Sequence, residues 1–345
     1  MIRSQLLSLV CLLAPLVSAP AALAHGSHGG GNNEALAAGD FDFTPVISLE
    51  GHGGFETNLD GAPKHVAIDG LFGGVFSWGL GHGANVSIEA AIGPALVWGE
   101  AEHFYGKVHV DDHAEESDDT HGHEIDDVHD DHDDHADHAD HDDHDVHDDH
   151  DEHADHAHGH DSDFKRVDLK GYLQVRYAPN DRLNLALSWM PYWVTKDQGD
   201  DLEGLKNELS AKLTWGLGDG DVNFGLGDGL TDLVDGVYVS VDHRQGWESD
   251  GVWMGNYTDP RVGLGFKVGA DEVNIKLEAG PRFYTPGHYS GLNQRTDFAG
   301  EVEVSVPVGD ALLFAHWQPV YTPEDAPGWG EGWQHHVGTG VSFSF

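Results

Sequence analysis

Between residues 166 and 177 apolar and polar residues alternate one for one. Val167, Leu169, Leu173, Val175 and Tyr177 fall on one face; Arg166, Asp168, Lys170, Tyr172, Gln174 and Arg176 fall on the other. Successive side chains of a strand point to opposite sides, so this pattern predicts a strand with one apolar and one charged face. Val273, Ile275, Leu277, Ala279 and Phe283 alternate in the same way against Asn274, Lys276, Glu278, Arg282 and Tyr284. Either run is long enough to cross a bilayer when tilted, which takes about 9–11 residues. Charge on one face and large apolar groups on the other suit lipid outside and water inside. A soluble periplasmic β-sandwich or β-barrel, which also alternates, is the alternative.

The same period predicts twelve strands, at 41–50, 65–77, 84–101, 165–178, 182–195, 205–216, 222–227, 261–269, 272–284, 296–306, 312–321 and 333–345. Their connections alternate in length. Those at 79–83, 179–181, 218–221, 270–271 and 309–311 are short, and the ones between them are longer and polar. Short turns at one end and long loops at the other are expected of a transmembrane antiparallel β-barrel. Trp78, Trp98, Trp193 and Trp215 fall near strand ends, where an aromatic belt would meet lipid headgroups. The chain closes with Val337, Thr339, Val341, Phe343 and Phe345 on one face. This ending resembles the last strand of bacterial outer-membrane β-barrel proteins, and the resemblance spans 41–345. It implies an outer-membrane location and a terminal aromatic that the barrel-assembly machinery reads. No characterised transporter family is matched.

Composition narrows the remaining classes. A formal charge of −44 excludes binding to a nucleic-acid backbone. No internal apolar run approaches the roughly 18 residues of a membrane helix, so a helical transporter is excluded. The first 24 residues carry Arg3, an apolar run over 6–17 and Ala22-Leu23-Ala24, which reads as a secretory signal cut before His25. The single cysteine, Cys11, lies inside that apolar run and is poorly placed for lipidation. A mature chain without cysteine has neither disulfides nor thiolate metal sites. A short segment, 25–40, precedes the barrel and is too small to be a plug domain.

The composition breaks from about residue 102 to residue 163, so the barrel carries an insert over 102–164. The break holds 17 of the 27 histidines and 26 of the 61 acidic residues, with Lys107 its only basic residue. With almost no large apolar side chains, it should be a long disordered His/Asp-rich loop. His129, His132, His135, His138, His141, His144, His147, His150, His153 and His156 recur every third residue, and His121, His123, His158 and His160 flank them as His-Gly-His pairs. A solvated spacer accounts for the aspartates, but not for ten histidines in strict register. Imidazole and carboxylate are ligands for divalent zinc; nickel, cobalt and copper(II) suit them too, and the absence of sulfur disfavours copper(I). Many equivalent ligands on a flexible chain predict several exchangeable sites and no single rigid one. If both termini are periplasmic, the tract joins strands three and four on the extracellular side.

Other histidines form weaker groups. His52, His243, His288 and His335-His336 lie in or beside long loops on the tract's side and would together make a second site at the barrel mouth, although each alone reads as an ordinary surface histidine. His25 and His28, with the free amine of the cut chain, would hold a metal at the other end. His82, in a short turn, and His316, inside a strand, read as structural. Inward positions carry nine basic groups, Arg166, Lys170, Arg176, Lys206, Lys212, Arg261, Lys267, Lys276 and Arg282. They are nearly balanced by Asp69, Glu89, Asp168, Glu208, Glu278, Glu301 and Glu303. That implies either a salt-bridged interior or a narrow channel with opposed charge ladders, and argues against a wide acidic cation pore. No nucleophile and base pair stands out, so the expectation is a non-enzyme that captures divalent metal, zinc foremost, and assists its uptake. A surface buffer or resistance protein with the barrel as anchor is the alternative.

Overall fold

The computed structural model describes residues 36–58, 64–99, 101–104, 107–110, 164–195, 203–218, 222–223, 233–269, 273–287, 294–324 and 330–345. These form sixteen strands: β1 (Phe41–Glu56), β2 (Lys64–Gly81), β3 (Ala84–Gly99), β4 (Ala101–Phe104), β5 (Lys107–Val110), β6 (Phe164–Asn180), β7 (Leu183–Val194), β8 (Gly204–Gly216), β9 (Val222–Asn223), β10 (Leu233–Val234), β11 (Gly236–Trp247), β12 (Trp253–Val268), β13 (Val273–Pro286), β14 (Arg295–Val308), β15 (Ala311–Thr322) and β16 (Gly332–Ser344). Twelve of them close a barrel in the order β1-β16-β15-β14-β13-β12-β11-β8-β7-β6-β3-β2. Every pair in it is antiparallel, and β1 closes on β16, from Val46 opposite Ser344 to Glu56 opposite Gln334.

The two faces are inverted relative to a water-soluble protein. Leu187 and Val262 are each 63% exposed on the outside, whereas Lys206, Lys276, Glu303 and Asp168 are each 1% exposed within. A soluble sandwich or barrel puts its apolar side chains in the core. The observed inversion is what a bilayer-spanning barrel requires, because lipid cannot solvate charge and a lumen can. A strand of 16 residues such as β1 or β12 reaches roughly 37 Å along the axis at 3.3 Å per residue and 45° tilt, more than the hydrocarbon layer of about 30 Å. The longer strands therefore project beyond the membrane. Phe41 packs on Trp78 with ring centroids 5.4 Å apart, and Trp98 on Phe164 at 5.3 Å, which builds outward aromatic girdles at both ends.

Twelve strands match the expected number, with one correction to their identity. Residues 222–227 do not supply a barrel strand. Val222-Asn223 pairs with Leu233-Val234 in a separate ribbon, and the seventh barrel strand is β11. The connection after β8 is consequently long, although it lies at the short-turn end. Its described end at Val234 lies in the lumen: a side chain at Gly265, on the inner face of β12, would collide with the Val234 carbonyl, and Val234 packs on Tyr238. At this end the lumen also holds the apolar contacts of Val46 with Val75 and of Leu312 with Phe314.

Phe41 and Phe345 mark one end of the barrel. The tract leaves β3 and returns to β6, the third and fourth barrel strands, at the opposite end. Of the tract itself, only the backbone ribbon pairing β4 with β5 is described.

Candidate functional site

The tract histidines His121, His123, His129, His132, His135, His138, His141, His144, His147, His150, His153, His156, His158 and His160 lie outside the described residues, as do His25, His28 and His288.

Near the tract end the lumen opens into a cavity of about 540 Å³ lined by charged, amide and imidazole side chains. The charges of the lumen as a whole are paired between neighbouring strands and along them. Asp259 receives hydrogen bonds from Arg282 Nη2 at 2.7 Å and from Arg261 Nη2 at 2.9 Å, while Arg261 also reaches Glu278 at 2.9 Å. Lys276 lies 3.2 Å from Glu301 and 3.4 Å from Glu303. On the far wall Arg166 donates to Asp168 at 2.7 Å and Arg176 to Glu89 at 3.2 Å. Lys206 faces Glu248 at 3.4 Å. The ion pairing that the sequence balance implies is present in the lumen. Of the nine basic positions named from sequence, Arg166, Arg176, Lys206, Arg261, Lys276 and Arg282 take part in these pairs and Lys170 bonds Asp69, while Lys212 lines the cavity and Lys267 is exposed near the end of β12. Arg244, Arg295, Asp242, Glu248, Asp259 and Asp297 join the pairing, although the alternation does not single them out.

Beside the cavity, four histidines meet across the seam where the chain's two ends close. Backbone register places them in two neighbouring rows. His52 on β1 and His316 on β15 flank Gly338, which pairs with both. His65 on β2 and His336 on β16 flank Gly54, which also pairs with both. The glycines are what make room. A side chain at Gly54 would collide with the His65 ring, and one at Gly338 would collide with the His316 ring and stand 2.7 Å from Glu50 Oε1. His336 is the hub: its ring centroid lies 5.1 Å from His52, 5.7 Å from His316 and 6.0 Å from His65. Two carboxylates attend the group. Asp69 lies 3.2 Å from His52 Nε2 and is also bonded by Lys170; Glu50 lies 3.5 Å from His316 Nε2.

This arrangement redraws the mouth site expected from sequence. His52 and His336 are brought together as anticipated, but His335 is not with them, because neighbours on a strand face opposite ways. Its ring stacks on Trp317 and Trp333 and lies 4.8 Å from Phe55, as part of the outer girdle. His243 is also outside, bonded through Nδ1 to Thr258 at 2.9 Å. His316, read as merely structural, belongs to the inward group. So does His65, which sequence reasoning passed over although it shares inward parity with Asp69. His82 sits in the β2–β3 turn with φ of +55°, as its place in a short turn implies.

The closed sheet, its inverted faces and its paired lumen belong to one class of architecture. The chain resembles the bacterial outer-membrane β-barrels. Residues 230–345, a third of the chain, match a family model described as the cyanophage outer membrane protein like beta barrel domain. No curated protein sequence matches. Among solved structures, an outer-membrane channel of Pseudomonas putida F1 is 10% identical, with 91% of this chain and 98% of that one covered and a TM-score of 0.46. The translocator domain of the autotransporter NalP from Neisseria meningitidis is 9% identical, covering 87% and 88%, with a TM-score of 0.43. An anion-selective porin from Comamonas acidovorans is 7% identical, covering 89% and 99%, with a TM-score of 0.34.

Proposed function

We propose that this barrel captures divalent metal, zinc foremost, at the bacterial surface through its His/Asp-rich tract and assists metal entry. It is read as a binding and passage protein rather than an enzyme. The observation that carries the reading is the triplet register of ten histidines within the connection between β3 and β6. Two further points support it. The connection lies at the end opposite Phe41 and Phe345, which is the extracellular end if the termini are periplasmic as in outer-membrane barrels. In addition, a tract with 26 acidic residues raises the local concentration of cations at the mouth.

Deleting residues 102–163 in a zinc-limited strain should slow zinc accumulation, and unchanged accumulation would sink the uptake reading. The paired lumen favours one rival, a surface buffer with the barrel as anchor, since its charges are held by one another along the wall rather than left to draw an ion through. That rival expects the deletion to raise sensitivity to zinc excess and the gene to be induced by excess rather than by starvation.

A further inference from the structure

We infer that His52, His65, His316 and His336 form a binding site for one divalent transition ion of the imidazole-preferring class, inside the barrel beneath the root of the tract. The site consists of the barrel's own strands and does not depend on what the tract binds.

The spacing fits. With metal to nitrogen distances of 2.0–2.1 Å and tetrahedral angles, two imidazoles sharing one zinc ion have ring centroids about 5 Å apart. Around His336 the three observed separations are 5.1, 5.7 and 6.0 Å. His316 and His65 stack on His336, however, at interplanar angles of 13° and 29°, with His52 tilted at 46°, and among the described residues no three ligand groups already converge on a point. Loading therefore requires the imidazoles to turn about their side-chain bonds, with little change of the sheet.

The free lone pairs are on the right atoms. His52 has its Nε2 on Asp69 and leaves Nδ1 buried with no hydrogen-bond partner among the described residues. In His316 both ring nitrogens are buried without a hydrogen-bond partner, Nε2 standing 3.5 Å from Glu50. A carboxylate on one imidazole nitrogen, with the other nitrogen left to a metal, is the usual second-shell arrangement of histidine ligands, and it fixes the tautomer and raises ligand basicity. Close packing alone gives no reason to leave buried imidazole nitrogens unsatisfied, which costs free energy. Nor does it explain why Gly54 and Gly338 give up their side-chain space to two of the four rings.

The position suits a receiving station. His65 pairs with Gly99, the last residue of β3 before the tract begins. Metal released from any tract histidine near that root enters the lumen beside the four imidazoles.

The test uses the full chain in detergent with all seventeen histidines of residues 102–163 replaced by asparagine, so that the tract's imidazole ligands are removed while length is kept. Competition against a chromophoric chelator should reveal one tightly held equivalent of Zn²⁺, and Co²⁺ in its place should give the intense visible bands of a tetrahedral ion. His336→Gln should weaken the equivalent by more than about 100-fold and abolish the bands. Glu50→Gln, which touches only the outer contact, should weaken it by roughly 10–100-fold. If His336→Gln does not yield folded barrel, His52→Gln replaces it with the same expectation. No tight equivalent in the asparagine chain, or one that survives loss of His336 or His52 unchanged, overturns the inference. Metal binding by the tract is measured separately, as the additional weaker equivalents of the native chain, so either proposal can fail without the other.

Discussion

Asp259 offers the sharpest measure of what holds the lumen together. Its side chain is 4% exposed and takes both Arg261, 9% exposed, and Arg282, 24% exposed, across β12 and β13. Replacing it with alanine leaves Arg282 over the Tyr257 ring, 4.5 Å from its centroid, while Arg261 keeps Glu278. Removing one partner of a buried pair costs about 3–5 kcal/mol, because the other charge remains desolvated. Since Arg261 retains an acceptor, a loss near the lower end, about 3 kcal/mol, is expected for Asp259→Ala. The control is Asp242→Ala. Its partner Arg244 is 35% exposed and also holds Glu208 at 3.0 Å, so that change should cost less than about 1 kcal/mol. Urea unfolding in vesicles, followed by tryptophan fluorescence under conditions where refolding is reversible, measures both variants. A loss at Asp259 below about 1 kcal/mol, or one equal to the control, would refute the view that these pairs clamp a desolvated interior.

Further outcomes follow from the same structure. Zinc held by the tract should be lost as pH falls from about 7.5 to 5, because protonation near the ordinary histidine value of about 6.5 removes the lone pair that the metal needs; equilibrium dialysis across that range checks it. His335→Ala should leave metal stoichiometry unchanged, since its ring sits among Trp317, Trp333 and Phe55 on the lipid side. Gly338→Val should destabilise the barrel by about 1–3 kcal/mol through overpacking against His316 and Glu50, read in the same urea assay. Deleting Phe345, whose ring stacks on Phe343 and whose backbone nitrogen donates to Pro45, should lower the yield of heat-modifiable, folded barrel in membranes.

The barrel was legible because lipid and lumen impose period two on each strand, and most strands carry that period undiluted. The seventh was misplaced for a local reason. The segment 216–235 is dense in glycine and aspartate and reads as a tight turn followed by a short run at Val222, while the outward series of β11 is interrupted at His243. The site was half legible. Parity with Val337 and Thr339 puts His335 outside and His336 inside, a signal already present in the terminal strand. No sequence pattern, though, joins His52 and His65 to His316 and His336, since their proximity is created only by closure of β1 on β16. The glycines beside them carry no chemistry that a sequence reading would notice.

That closure gives the histidine group a place in time as well as in space. Half of its members are made first and half last, so a chain still threading into the membrane, with its seam open, has two separated pairs and no quartet. Occupancy of the quartet would then mark completion of the sheet, and an ion that binds across the seam would resist its reopening, like a rivet set after the plates have met.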